Sequence, residues 1–271
     1  MVEIDKIVDY ISKKAGDYKG ATGIIISPCF SDFLDEIDDK IEVRCSDMPG
    51  MKVLGSDKEE NKFVFGKLHG KKVIVLLGRL HYYLGYAPYE IATPIFVLKE
   101  LGCEKLIISS SVGAINHKIK VGDIVTVTDH INLTGRNPLY SLPYSKYGHK
   151  FVDMTEPYDQ HMTDSLILTA KREMSIKVKK GVVIEFPGPS AETISESKFA
   201  HFVGADIIAF SVCNEVIAAK YCGLPVCVYA LVTNYASAYT NSKIRHEDIV
   251  YNRKCASTYY IELLSKFIQN I

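Results

Sequence analysis

Apolar residues recur along this chain at two spacings, and the alternation between them outlines the fold. Ile4, Ile7, Val8 and Ile11 fall on one face of a helical period, so residues 4 to 14 are read as an amphipathic helix. Thr22 to Ser27 is a short Ile-rich run, predicting a buried strand. From Asp32 to Glu60 the chain is charged and carries Pro49 and Gly50, which predicts a helical start followed by surface loop. Phe63 to Leu68 and Lys71 to Leu77 are read as two strands joined by a turn at His69-Gly70.

Pro88 suits the first turn of a helix running to Leu101, with Gly102 placed to end it. Further strands are predicted at Leu106 to Ser111, Asp123 to Asp129, Val178 to Glu185, Ala205 to Phe210 and Pro225 to Val232. Helices are predicted at Asp164 to Met174, from Thr193 to Gly204, at Asn214 to Cys222 with Gly223 closing it, and from His246 onward. Thr193 and Glu196 have capping-box spacing. Residues 132 to 160, rich in Pro, Gly and Tyr, are read as a long functional loop. Strands alternate with helices, yet some neighbours are hairpin-like. The pattern predicts an α/β fold: one domain over residues 1–271, with a mixed central sheet flanked by helices.

Composition narrows the function classes. Lys plus Arg and Asp plus Glu each number 32, so nothing in the charge argues for nucleic acid or an anionic membrane as partner. No apolar run approaches the ~20 residues that span a bilayer, and the charged N-terminal stretch lacks a signal-peptide core. The seven cysteines form no Cys-x-x-Cys pair and mostly sit in apolar runs, as reduced thiols of a cytoplasmic protein would. Scattered histidines give no metal-ligand spacing, and no Gly-x-Gly-x-x-Gly follows a strand, so neither metal nor cofactor is expected.

In open α/β sheets ligands bind beyond the carboxyl ends of strands. Five loops there carry polar residues. Gly78-Arg79-Leu80-His81 offers a guanidinium fork and an imidazole two residues apart, a compact anion clamp, although a solvated Arg and a core-edge His fit the spacing equally. Val112-Gly113-Ala114-Ile115-Asn116 reads as a small turn that lets backbone N–H groups approach a ligand. Phe186 to Thr193, with prolines around Gly188, is a stiff loop presenting Glu192 at a helix start, where a purely dipole-stabilising role is also open. Ser211 precedes a helix and can cap it or hold an anion. Thr233-Asn234 offers an amide able to pair with a 6-oxopurine edge.

Taken in order, these segments resemble the trimeric purine nucleoside phosphorylases. The resemblance extends through Asp129-His130-Ile131-Asn132-Leu133, Gly188-Pro189-Ser190-Ala191-Glu192-Thr193, Gly204-Ala205-Asp206, Glu215-Val216-Ile217 and His246-Glu247. It implies phosphorolysis of 6-oxopurine nucleosides such as inosine and guanosine, giving free base and ribose 1-phosphate, with inorganic phosphate as co-substrate. By resemblance Arg79, His81, Ser111 and Ser211 hold phosphate, Tyr83 approaches the ribose and His246 its 5′-hydroxyl. Val112, Gly113, Ala191 and Phe210 line the base pocket, Thr233 contributes to it, and Glu192 and Asn234 hydrogen-bond the purine. The implied catalytic set is Asn234, Glu192 and His81. Phe151 resembles the residue that a neighbouring subunit lends to the site, which implies a homotrimer.

Three positions depart from the family pattern. Ser27-Pro28-Cys29 stands where members carry a Gly-Ser-Gly phosphate loop, and Pro28 brings neither hydroxyl nor N–H. Leu84 replaces a Glu that orients the phosphate-site His, and Ala191 replaces a Phe that packs on base and ribose. Alongside an active phosphorylase, these changes leave open a catalytically weak or inactive purine-binding homologue and, further off, a hydrolytic nucleosidase.

Overall fold

The computed structural model describes residues 3–54, 61–140, 142, 146–240, 243 and 245–271. Its fold is α/β with mixed strand pairing. The chain divides into two compact units. One comprises Met1–Ile108, Arg136–Pro157 and Asn214–Val226; the other Ser109–Gly135, Tyr158–Cys213 and Cys227–Ile271.

In the first unit, helix α1 (Ile4–Ala15) buries Ile7 and Ile11 and is followed by strand β1 (Thr22–Ile26). All five β1 residues are buried because both neighbours pair with it in parallel: β4 (Lys71–Leu77) and the start of β5 (Lys105–Ala114). β3 (Lys62–Leu68) and β4 form the expected hairpin, with His69 and Gly70 both at positive φ, as a two-residue turn requires. Helix α2 (Pro88–Glu100) is buried from Glu90 through Leu98 and packs on α1.

The stretch expected to be helical start and surface loop is more ordered than that. Pro28–Glu36 is a 3₁₀ helix, and Asp38–Arg44 is an edge strand, β2, antiparallel to β3. Only Val43 of β2 is buried, so it carries no apolar alternation to announce it. Residues 55 to 60 of that stretch lie outside the described ones.

In the second unit, β6 (Ile124–Asn132) pairs in parallel with β7 (Lys179–Glu185), and β7 in parallel with the three-residue β8 (Ile207–Ala209). β8 is antiparallel to the end of β5, and β6 to β9 (Val226–Tyr235). Helix α3 (Gln160–Glu173) begins four residues earlier than expected, because the Asp159 side chain accepts from Met162 N at 2.8 Å and caps it. Helix α4 (Ile194–Phe202) shows the reciprocal Thr193–Glu196 capping box. Helix α5 (Cys213–Tyr221), which ends before Gly223, belongs from Asn214 onward to the first unit, while in the second α6 (His246–Asn270) packs against α3. Among the described residues of 132 to 160, only the end of β6 and the start of α3 are regular.

Two further boundaries move. β5 runs on through Val112, Gly113 and Ala114, with Gly113 opposite Ile208 in the ladder, so the turn expected there is strand. β9 likewise runs through Thr233 and Asn234 to Tyr235. All seven cysteines are free thiols; Cys29 and Cys255 are exposed, and burial pushes Cys45, Cys103, Cys222 and Cys227 up to about 12. No helix among the described residues is long and apolar enough to cross a membrane.

Candidate functional site

In the first unit, β4 ends at Leu77 and the chain turns at Gly78. Gly78 has φ 94°, and a Cβ there would meet the buried Asn61 side chain at 1.7 Å, so only glycine fits. The turn delivers Arg79, whose Nε lies 3.1 Å from Oε1 of Glu215 on α5. The Arg79 side chain is 10% exposed and that of Glu215 3%, so the pair is largely withdrawn from water. The ion pair holds the guanidinium, a rigid planar fork, against the Glu215 carboxylate. His81, in extended backbone, stacks on Tyr83 with centroids 4.5 Å apart and planes 15° apart. Tyr83 and Leu84 are both exposed.

Ser27 and Pro28 follow β1. Pro28 opens the 3₁₀ helix, where its fixed φ and missing N–H are tolerated, and Cys29 Sγ donates to Ser27 Oγ at 3.2 Å. Phe151, in the same unit, is fully exposed.

The second unit brings Gly113, Thr233, Asn234, Glu192 and Ser237 together. Asn234 extends its amide over Gly113: a Cβ at Gly113 would stand 3.0 Å from Asn234 Nδ2. The Thr233 hydroxyl donates to Asn234 Oδ1 at 3.0 Å and lies 3.3 Å from Val112 O, while Asn234 Nδ2 donates to Tyr235 O at 3.1 Å. Asn252 of α6 donates to Thr233 O at 2.8 Å and ties this strand end to the helix. Just beyond the strand, Ala236 N donates to Ala114 O at 2.9 Å.

Three residues past Asn234, Ser237 N donates to Glu192 Oε1 at 2.9 Å. The Glu192 carboxylate, buried at 8% exposure, is thereby held at the same end of β9 as the Asn234 amide. It arrives from a loop containing a cis Gly188-Pro189 bond and the exposed Ser190 and Ala191. An amide with donors and an acceptor and an acceptor-only carboxylate, held at one strand end, have between them the polar groups that complement a base edge presenting both. Val112 is buried beside them, and His246 is exposed at the start of α6.

Ser111 and Phe210 are half-buried, as is Ser211, which leads into α5 through Val212. Val212 has φ 125°, a strained conformation for a β-branched residue. The next residue, Cys213, donates its N–H to Glu185 Oε2 at 2.6 Å. Sequence reasoning missed Glu185 and Ser237. Glu185 shows one signal, a carboxylate closing the apolar run Val182-Val183-Ile184; Ser237 shows none. No group of three or more His, Cys, Asp or Glu among the described residues could hold a metal ion.

Comparison with known proteins gives these contacts a context. A family model described as the phosphorylase superfamily matches residues 29–269. Purine nucleoside phosphorylase 1 of Bacillus subtilis is 32% identical over 228 residues, covering 84% of each chain. The purine nucleoside phosphorylase of Mus musculus is 33% identical over 217 residues, covering 78% of this chain and 75% of its own. Among solved structures, the Schistosoma mansoni purine nucleoside phosphorylase in complex with inosine superposes with a TM-score of 0.92 at 28% identity, over 99% of this chain and 96% of that one.

Proposed function

This chain belongs to the phosphorylase superfamily, among its purine nucleoside phosphorylases, and from that premise we propose that it cleaves 6-oxopurine nucleosides, inosine and guanosine, with inorganic phosphate. The reading treats residues 1–271 as one nucleoside phosphorylase domain. Its relatives bear the same name in bacteria and mammals, and solved structures hold the Schistosoma mansoni enzyme in complex with inosine and a Schistosoma enzyme in complex with guanosine. The observation that carries the proposal is Glu192 held by Ser237 at the strand end that bears Asn234.

In the reaction the C1′–N9 bond breaks and its electron pair leaves with the base. A phosphate oxygen forms the new bond to C1′, giving ribose 1-phosphate, and the departing base takes up a proton. Positive charge gathers on the sugar on the way, as in glycoside hydrolysis. Negative charge gathers on the purine, and an amide N–H from Asn234 toward N7 and the 6-oxo group gains strength as it does. Glu192 accepts the ring N–H of the 6-oxopurine. We assign phosphate to Arg79, His81, Ser111 and Ser211, the ribose to Tyr83 and its 5′-hydroxyl to His246, and the lining of the base site to Val112, Gly113, Ala191, Phe210 and Thr233. The ion pair with Glu215 suits Arg79 to that part, since it sets the guanidinium's direction before an anion arrives. Phe151, wholly exposed in a single chain, is assigned to the site of a neighbouring copy in a homotrimer.

The deciding experiment is a coupled assay with inosine, with and without phosphate. Hypoxanthine release that requires phosphate supports phosphorolysis. Release that ignores phosphate identifies a nucleosidase, and hypoxanthine binding without turnover identifies the inactive homologue that Pro28 raises.

A further inference from the structure

A carboxylate discriminates between bases only if its direction is fixed before the base arrives. Glu192 comes from a loop whose adjoining residues Ser190, Ala191 and Thr193 are all exposed, and the Thr193–Glu196 capping box that follows it does not restrain its carboxylate. Ser237 does so from across 45 residues of chain. Its N–H donates to Glu192 Oε1 at 2.9 Å. Its Oγ–H donates to the main-chain oxygen of Glu192 at 2.6 Å, with Oε1 a further 3.2 Å contact. One residue thus clamps both the backbone and the side chain of Glu192.

Ser237 is itself well placed to act as a clamp. The residue before it, Ala236, donates to Ala114 O, and the residue after it, Ala238, donates to Ser197 Oγ at 3.3 Å. Its neighbours are therefore anchored to β5 on one side and α4 on the other. Each carboxylate oxygen has two in-plane acceptor positions. The Ser237 N–H takes one of those on Oε1 and the hydroxyl crowds the second, which leaves Oε2 as the open acceptor.

We propose that Ser237 is the positioning residue of the base-reading carboxylate, presenting a single oxygen of Glu192 and so favouring a base with one ring N–H donor, hypoxanthine, over guanine, whose ring N–H and 2-amino group call for two. This rests on Glu192 being the purine acceptor, as proposed above.

The test compares the intact protein with Ser237→Ala and Ser237→Thr. Calorimetry gives dissociation constants for hypoxanthine and for 1-methylhypoxanthine, which lacks the ring N–H donor. The intact protein prefers hypoxanthine. Ser237→Ala shrinks that preference several-fold, up to about tenfold, the weight of one neutral hydrogen bond, and Ser237→Thr, which keeps the hydroxyl, retains it. In steady-state assays Ser237→Ala raises KM for inosine more than it lowers kcat, and the guanosine-to-inosine ratio of kcat/KM rises. A general structural role would weaken both bases alike and leave the preference unchanged; that result overturns the inference, as does an unchanged guanosine-to-inosine ratio. If the intact protein itself shows no preference for hypoxanthine, the reading of Glu192 fails first and takes this one with it.

Discussion

Gly113 lies directly beneath the side-chain amide of Asn234, so near that a Cβ on the glycine would stand 3.0 Å from Nδ2. The backbone of Gly113 is ordinary strand, paired with Ile208, and would accept alanine without conformational strain. What would move is the amide. Gly113→Ala is expected to leave the urea unfolding midpoint nearly unchanged while kcat/KM for inosine falls at least about tenfold, the scale of one lost hydrogen bond to developing charge. Initial rates and a urea titration on the same preparation check it. A fall in stability matched to the fall in rate would count against it.

The Arg79–Glu215 pair is predicted to be a weight-bearing contact of the first unit as well as a device for aiming the guanidinium. Removing one member of a buried pair strands the other's charge, at a cost of about 3–5 kcal/mol. Glu215→Ala should therefore lower the unfolding free energy by that order. Arg79→Ala and the double variant complete a cycle: the double variant should be less destabilised than the sum of the singles.

Pro28→Ser supplies a hydroxyl and an N–H at the position that the family resemblance aligns with a phosphate-loop serine. A hydrogen bond to a charged ligand contributes about 1.5–3 kcal/mol, so the KM for phosphate should drop by about tenfold or more. The KM for inosine should stay near its starting value. No change in the phosphate KM would show that this loop has left the anion to other residues.

Burial holds the His130 imidazole below its ordinary 6.5 against the opposing charge of Asp129, and its Nδ1 lies 3.0 Å from the Tyr158 hydroxyl. A depressed histidine means that the unfolded chain binds the proton first. Stability is then fully present above pH 6.5 and declines as pH falls from there toward the lowered folded value. Urea midpoints measured from pH 8 to pH 5 should show this decline, and His130→Gln should flatten it in that window.

Much of this was legible in the residues. The Ile-rich β1, the turn at His69-Gly70 and the Thr193–Glu196 capping box announce themselves, because their causes are local: burial on both faces, positive φ, a reciprocal cap. What stayed hidden depends on partners far away in the chain. β2 is a strand because β3 offers it an edge, while its own charged residues show no alternation. β5 outruns its apolar stretch because its ladder with β8 continues through Gly113 and Ala114, and β9, which also pairs with β5, extends through Asn234. Ser237 is silent in sequence, since its partner stands 45 positions earlier.

The bare ring of Phe151 has a practical corollary. The chain contains no tryptophan, so Phe151→Trp would install a lone indole at a fully exposed position. Its emission would be red, water-like, wherever the ring stays in solvent, and would move to the blue if a neighbouring copy closed over it. Dilution alone, followed in a fluorimeter, would then report whether that aromatic belongs to its own chain's surface or to another chain's interior.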